Sequence, residues 1–146
     1  MEAFFAIVSF LFDTESDGRH MLEFLAVGLG GFLGSCLRFA LTKFSSHFAV
    51  SLPLGTLLSN VLAGLCIGFV IGLGQTVFAP APKIKLFLTT GLCGGLSTFS
   101  TFSLETVNLL RDEKYIVALL HIFLNLSISI LGVVIGMALA KLFKRA

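Results

Sequence analysis

The segment from Thr90 to Ser103, T-G-L-C-G-G-L-S-T-F-S-T-F-S, places glycines and hydroxyl side chains in the middle of a long uncharged stretch. Hydrocarbon accepts only backbone whose N–H and C=O groups find internal partners, so a continuous apolar helix is expected at membrane depth. Glycine lowers helix propensity, and hydroxyl side chains compete for backbone hydrogen bonds. We therefore predict a broken helix. Such backbone is tolerated where it is buried in protein or lines a watery cavity, which makes this segment the first candidate for an ion or substrate site.

The same residues also admit a purely structural interpretation. Small residues let helices approach closely, and hydroxyls can bond to a preceding carbonyl. Phe99 and Phe102 favour the functional interpretation, because positions i and i+3 share a helix face and set aromatic edges beside a strip of hydroxyl groups. The hydroxyl groups offered to such a path are those of Ser100, Thr101 and Ser103.

The composition of the whole chain is that of a membrane protein. Its 146 residues are 56% hydrophobic and 12% charged, and the mean hydropathy is +1.01. These values exclude a soluble core, and the length accommodates about four spans of roughly 20 residues each. The net charge of +2 comes without a basic run of the length that nucleic acid requires. We predict an all-α protein whose spans cover residues 22–44, 54–75, 86–110 and 115–142.

The N-terminal stretch and the cysteines suggest no further site. Residues 1–21 are apolar at first and then acidic, unlike a conventional signal peptide. We assign residues 1–21 to an interfacial or disordered extension and residues 22–146 to one transmembrane domain. Cys36, Cys66 and Cys93 lie within apolar segments without C-x-x-C spacing. We predict small buried packing residues rather than a disulfide or a zinc site.

Polar side chains inside the apolar segments are further candidates, because an unpaired polar group is costly in hydrocarbon. Asn60 lies near the start of the second span, either at a pore or in an interhelical hydrogen bond. His121, Asn125 and Ser129 are spaced by four and share one helix face, for which we favour a functional stripe over packing. Arg38, near the far end of the first span, is either an interfacial anchor or an electropositive mouth that attracts anions.

Two further patterns concern packing and pairing. Gly64, Gly68 and Gly72 repeat at i, i+4 and i+8, which predicts a close helix contact along the second span. Glu105 falls one turn beyond Phe102, near the membrane boundary. For this carboxylate we predict a structural pairing with a hydroxyl or a basic group rather than proton transfer.

The distribution of basic residues leaves the orientation nearly undecided. With four spans, one side carries Arg19, Lys83, Lys85, Lys141, Lys144 and Arg145, and the other carries Arg38, Lys43, Arg111 and Lys114. This bias weakly favours cytoplasmic termini. A chain with weak bias can insert in both orientations, and two opposite copies would recreate the inverted symmetry that many transporters hold within one chain.

Three motifs resemble the Fluc/CrcB family of fluoride channels. They are G-G-F-L-G-S-C-L-R-F at Gly30 to Phe39, P-L-G-T-L-L-S-N-V-L-A-G at Pro53 to Gly64, and G-L-C-G-G-L-S-T-F-S-T-F-S at Gly91 to Ser103. They occur in the family's order and on the corresponding spans, and the likeness covers about residues 22–142. The resemblance implies four-helix subunits with a broken third helix, paired as an antiparallel dual-topology homodimer in the cell membrane. It also implies two fluoride pathways and a structural sodium ion between the subunits.

The resemblance also implies roles for individual residues. Asn60 would be the amide donor of the pore, Phe99 and Phe102 would line the ion path, and the backbone carbonyls of Gly94 and Ser97 would hold the sodium. The polar track of the fourth helix would comprise His121, Asn125 and Ser129. The chain departs from the family pattern at Ser97, where threonine is expected, and at His121, where tyrosine is frequent.

We therefore predict a passive channel that exports fluoride, not an enzyme, with fluoride, lipid and a second copy of the chain as partners. The alternative is a small dual-topology proton-coupled exporter of organic cations, a class that works through a glutamate embedded in its first helix. Here Glu23 lies at the very edge of that helix. A third interpretation is a structural membrane subunit without transport.

Overall fold

The computed structural model describes residues 1–2, 19–48, 51–78 and 81–144, and these are helical over most of their length. The α-helices are α1 (Arg19–Ser45), α2 (Leu54–Phe78), α3 (Pro82–Leu86), α4 (Gly94–Leu96), α5 (Phe99–Arg111) and α6 (Tyr115–Phe143). A π-helical segment, Phe87–Cys93, joins α3 to α4. Most of the predicted N-terminal extension, residues 3–18, lies outside the described residues, whereas residues 19–21 already belong to α1.

Three of these helices are long and apolar enough to cross a membrane. By length and composition the candidate spans are His20–Ser45, Leu54–Gly74 and Tyr115–Phe143. Large apolar side chains on their outer faces are open in the single subunit, for example Phe32 at 67% and Phe123 at 63% exposure. Such surface is stable against lipid or another subunit but not against water. The protein is therefore an all-helical, multi-pass membrane protein.

The most extensive contact in the subunit joins α2 to α6. The predicted glycine stripe of α2 forms one side of it, because a Cβ added at Gly64 would lie 2.7 Å from the carbonyl oxygen of Ser129. A Cβ added at Gly68 would meet the backbone of Val133, and one at Gly136 would meet the carbonyl of Leu65. Both helices thus bring backbone against backbone, as small residues permit in membranes.

A second close contact holds α1 against the π-helical segment and α4. A Cβ at Gly91 would lie 2.8 Å from the carbonyl oxygen of Val27, and a Cβ at Gly30 would meet the backbone of Phe87, Gly91 and Leu92. The glycines of the first and third motifs therefore fit into one another. This contact fixes where residues 82–111, called the third segment below, lie relative to α1.

The cysteine prediction is wrong for two of its three residues. Cys93 is buried in a small core cluster with Ala63 and Leu96, but Cys36 and Cys66 are exposed in the single subunit, and all three thiols are free. Apolar sequence surroundings do not distinguish a residue buried in the subunit from one on its outer, apolar surface.

Gly30→Ala tests the contact between α1 and the third segment. The added methyl group has only rigid backbone to push against, so we expect a loss of about 1–3 kcal/mol in stability. Thermal unfolding of the full chain in detergent measures this loss. Gly28→Ala is the matched control on the same helix, since a Cβ there meets nothing within 4 Å. Equal melting of the two variants would contradict the proposed packing.

Candidate functional site

The helical path of the third segment is interrupted at Ser97 and Thr98. Both residues are extended, with φ/ψ of −74°/154° at Ser97 and −152°/117° at Thr98. Thr98 is the N-cap of α5, and its Oγ1 accepts a hydrogen bond of 3.2 Å from the backbone N–H of Thr101. In an uninterrupted helix that N–H would bond to the carbonyl of Ser97. A hydroxyl side chain thus takes a donor away from a backbone carbonyl.

Asn60, on α2, forms hydrogen bonds with the backbone at the interruption. Its Oδ1 accepts a hydrogen bond of 2.8 Å from the backbone N–H of Thr98, which in a regular helix would bond to the carbonyl of Gly94. Its Nδ2 donates to Oδ1 of Asn125 at 3.0 Å. The remaining contact of Nδ2, with the Thr98 carbonyl, is long at 3.5 Å. One N–H of the Asn60 amide is therefore only weakly engaged within the subunit.

Arg38 contacts the same region from α1. Its Nε donates a hydrogen bond of 3.1 Å to the backbone carbonyl of Gly95. The guanidinium thus caps a carbonyl at the interrupted end of α4, which is a different arrangement from the membrane anchor and the free electropositive mouth considered from sequence. This contact gives the arginine a structural function at the break.

A cavity of about 410 Å³ lies beside the interruption. Its lining includes seven of the candidate site residues: Asn60, Gly94, Ser97, Phe99, Phe102, Asn125 and Ser129. Most of the remaining wall is apolar, and no charged side chain is among the described residues that form it. The cavity brings together residues of α2, of α6 and of the segment 82–111.

The buried hydroxyl of Ser129 is notable within this cavity. Its Oγ is shielded from solvent and has no hydrogen-bond partner among the described residues. A buried hydroxyl without a partner costs free energy, so such groups in native proteins usually have a ligand or water to bind. Ser129 is therefore a candidate donor to a bound ion.

Five candidate residues do not line the cavity. The hydroxyl of Ser103 donates to the carbonyl of Phe99 at 2.8 Å, and the hydroxyls of Ser100 and Thr101 lie 3.3 and 3.0 Å from Thr98 Oγ1. These three hydroxyl groups make local contacts around the first turn of α5. Arg38 caps α4, and the fifth residue, His121, is fully buried behind Phe102.

Three rings form a row from the exposed edge of the site into the subunit. The ring centroids of Phe99 and Phe102 are 5.6 Å apart with an interplanar angle of 44°, and those of Phe102 and His121 are 5.2 Å apart at 36°. Phe102 is buried, whereas Phe99 is 76% exposed in the single subunit. The outer ring therefore projects from the subunit surface.

Behind the rings, His121 makes two polar contacts. Its Nδ1 lies 3.1 Å from Nδ2 of Asn125, and its Nε2 lies 3.5 Å from Oε2 of Glu105. The side chain of Thr56 also contacts the Glu105 carboxyl group. The Glu105 carboxyl group therefore lies 3.5 Å from the imidazole and close to the Thr56 side chain.

Sequence reasoning missed Thr98 and gave no reason to connect Glu105 with His121. Thr98 carried a usable signal, because threonine before a new helical turn is a preferred N-cap. The contact between Glu105 and His121 had no local signal, since it depends on how α5 packs against α6. Among the described residues there is also no cluster of three or more His, Cys, Asp or Glu side chains able to hold a metal.

Residues 25–137 match the family described as CrcB-like protein, Camphor Resistance (CrcB). The chain belongs to the CrcB family. Among curated proteins similar to this CrcB-family chain is a fluoride-specific ion channel FluC of Clostridium perfringens, which is 45% identical over 125 residues and matches 85% of this chain and 98% of the relative.

Similar proteins occur in other bacteria and in archaea. A fluoride-specific ion channel FluC of Serratia proteamaculans is 46% identical over 106 residues, which cover 73% of this chain and 84% of the relative. The protein of the same name in Thermococcus gammatolerans is 44% identical, with 80% of this chain and 94% of the relative covered. The region that matches the CrcB family, residues 25–137, contains every candidate site residue.

Thr98→Val tests whether the threonine hydroxyl holds the start of α5. Valine keeps the shape of the side chain but removes the acceptor for the Thr101 N–H. We expect about fivefold faster hydrogen exchange at that amide, since a lost cap costs about 1 kcal/mol. Exchange measured in the full chain checks this, with Thr98→Ser as the control that keeps the hydroxyl. Unchanged protection in the valine variant would show that the cap contributes nothing.

Proposed function

We propose that this chain is the subunit of a fluoride-selective ion channel of the cell membrane. The observation that carries this proposal is the weakly engaged Asn60 N–H in an uncharged cavity that also holds the Ser129 hydroxyl and the Phe102 ring. Donor groups of this kind suit an anion. The curated relatives named fluoride-specific ion channel support the choice of fluoride.

Fluoride is small and strongly hydrated, so a pore must replace its lost water with N–H and O–H donors. The amide of Asn60 and the hydroxyl of Ser129 are such donors. Phe99 and Phe102 contribute through their ring edges, which are the positive part of the aromatic quadrupole and attract an anion rather than a cation. Because no full positive charge is among the described residues that line the cavity, the ion is not held too tightly to leave.

Transport through this pathway is passive. A negative potential inside the cell moves an anion outward with about 2.3 kcal/mol per charge per 100 mV. This driving force lowers cytoplasmic fluoride without nucleotide hydrolysis, for which the chain has no Walker motif. The channel thereby protects a cell in which fluoride accumulates after HF enters and dissociates.

The proposed assembly is an antiparallel homodimer of dual topology. Residues 82–111, third in chain order, cross the membrane as a broken helix. With the three candidate spans they bring the number of crossings to four. Phe99 is 76% exposed beside the cavity, and an aromatic side chain of a pore requires a second wall. A second, oppositely inserted copy supplies that wall and gives two pathways per dimer. The nearly balanced basic residues agree with insertion in both orientations.

A structural sodium ion fits the backbone at the interruption. The N–H groups of Thr98 and Thr101 bond to side chains instead of the carbonyls of Gly94 and Ser97. These two carbonyls are therefore available to a cation, and unwound backbone of this kind coordinates Na⁺ in transporters. When bound, the ion would supply positive charge to these carbonyl groups. In this proposal Gly94 and Ser97 contribute only backbone oxygen atoms.

The alternative of a proton-coupled exporter of organic cations gains no support from the fold. That class works through a glutamate embedded well inside the first helix. The carboxylate of α1, Glu23, lies instead in its second turn, near the helix end. Fluoride efflux that persists without a pH gradient would exclude coupling to protons. A purely structural subunit would show no transport at all, so Asn60→Asp and Phe99→Ile would have nothing to change.

Phe102→Ile tests the aromatic pathway. We expect fluoride efflux from liposomes, followed with a fluoride electrode, to fall about tenfold or more, because an aromatic edge contact is worth up to about 1.5 kcal/mol. Chloride efflux should remain at background in both the wild type and the variant.

Phe123→Ile is the matched control for this experiment. Phe123 is 63% exposed on α6, and its position two residues from His121 and from Asn125 places it on the opposite side of that helix. We expect wild-type efflux from this variant. Equal chloride and fluoride efflux would refute selectivity, and equal loss in the two phenylalanine variants would refute the pathway.

Removal of sodium tests the proposed cation site. In sodium-free buffer with N-methylglucamine as the only cation, we expect the dimer to dissociate in detergent, because the facing carbonyls lose their shared positive charge. Chemical crosslinking measures the dimer fraction, with sodium returned to the same sample as the control. A dimer fraction that is independent of sodium would refute a structural ion, and a chain that is monomeric in both buffers and in lipid would refute the dimer.

A further inference from the structure

Two side-chain amides at the site are oriented by backbone groups whose roles cannot change. Oδ1 of Asn60 faces the N–H of Thr98 at 2.8 Å, and a backbone N–H can only donate. Nδ2 of Asn125 faces the carbonyl of His121 at 3.0 Å, and a carbonyl can only accept. Because both ends are fixed, the contact of 3.0 Å between the amides runs from Asn60 Nδ2 to Asn125 Oδ1.

The orientation of Asn125 determines where the proton of His121 lies. Nδ2 of Asn125 is 3.1 Å from Nδ1 of His121. Since the amide nitrogen offers hydrogen, Nδ1 has to accept it and carries no proton of its own. A neutral imidazole with a bare Nδ1 carries its proton on Nε2. The network therefore specifies one tautomer of His121.

Oε2 of Glu105 is the side-chain acceptor nearest the Nε2 proton, and the backbone carbonyl of Phe102 also contacts the imidazole. Nε2 of His121 and Oε2 of Glu105 are both buried, and neither atom makes a hydrogen bond among the described residues. They lie 3.5 Å apart, at the long end of hydrogen-bonding distance. Leaving both atoms unsatisfied would be costly, so each is the natural partner of the other.

The charged surroundings of His121 are simple. On α5, Glu105 is the charged group against the ring, and α2 contributes no Asp, Glu, Lys, Arg or His. On α6 itself the other charged residue is Lys141, twenty residues along the helix. Within the described part of the chain, the carboxylate of Glu105 is therefore the charged group that can select the protonated ring nitrogen.

We propose that His121 and Glu105 form a positioning pair for the amides of the ion pathway. Glu105 accepts from Nε2–H, so that Nδ1 accepts from Asn125, Asn125 accepts from Asn60, and Asn60 keeps one N–H directed to the cavity. The pair acts through the amides and does not bind the ion. A second proton on His121 would place N–H against N–H at Asn125 and disrupt this arrangement. The consequence for fluoride rests on the proposed function.

The tautomer is tested without any transport measurement. The probe is the ¹⁵N signal of the imidazole in the full chain in lipid bilayers near neutral pH. His20 and His47 are replaced by glutamine so that His121 is the remaining imidazole. We expect a neutral ring with Nε2 protonated and Nδ1 accepting a hydrogen bond. A proton on Nδ1, or a doubly protonated ring, would overturn the proposal even if the protein conducts fluoride.

Glu105→Gln tests the pairing. Glutamine keeps the shape and can either donate or accept, so the preference for the Nε2–H form should weaken, and fluoride efflux should fall about tenfold, as for one lost charge-assisted hydrogen bond. Glu105→Asp, which keeps the carboxylate, should retain the tautomer. An unchanged tautomer in Glu105→Gln would overturn the role of the carboxylate. A changed tautomer with unchanged efflux would overturn the link to the ion pathway.

The pH profile of efflux supplies a readout that a merely structural role would not change. Acid should lower wild-type efflux reversibly, because protonated His121 opposes Asn125. In His121→Gln, which has no titrating ring, the residual efflux should not change with pH. Protein-free liposomes give the background from HF at each pH. A wild-type profile as flat as that of the variant would overturn the proposal, whereas absence of wild-type efflux would instead refute the proposed function and leave the NMR result to decide the pairing.

Discussion

The hydrogen bond from the Thr98 N–H to the Asn60 side chain is the interaction on which the site depends. It is 2.8 Å long and joins α2 to the backbone of the third segment across 38 residues of sequence. A helix that loses an internal bond in a membrane needs another partner for the freed groups. Asn60 provides that partner: its Oδ1 accepts the Thr98 N–H, and this bond also fixes which way the amide faces. The interruption, the position of the cavity and the orientation of the amide thus have a common cause.

Glycine contacts bring the helices around this hydrogen bond close together. Gly30 and Gly91 bring α1 against the third segment, and Gly64 and Gly68 bring α2 against α6. Without side chains at these contacts, the backbones of each of these pairs of helices approach closely. The apolar outer surface of these helices is left for lipid.

The sequence predicted most of the fold because its signals are local. Long apolar runs, the charged turn before Tyr115 and the glycines at spacing four each report on neighbours along the chain, and the helix ends fell within a few residues of the predictions. Asn60 and Asn125 stood out in the sequence because an amide in an apolar segment needs a partner wherever it lies, and in the structure the two amides bond to each other. Cys36 and Cys66 were misjudged, because hydropathy does not tell the interior of a subunit from its outer surface. The contact of Glu105 with His121 depends on the packing of α5 against α6, which no spacing along the chain encodes.

The capped start of α5 has an electrostatic consequence beyond local stability. A helix carries partial positive charge at its N-terminus and partial negative charge at its C-terminus. The interruption at Ser97 and Thr98 places the negative end of the helical stretch 82–96 and the positive end of α5 side by side. One break therefore offers a favourable potential to a cation on its carbonyl side and to an anion on its amide side. In this way a nearly uncharged segment of membrane protein can present both signs of potential within a few residues.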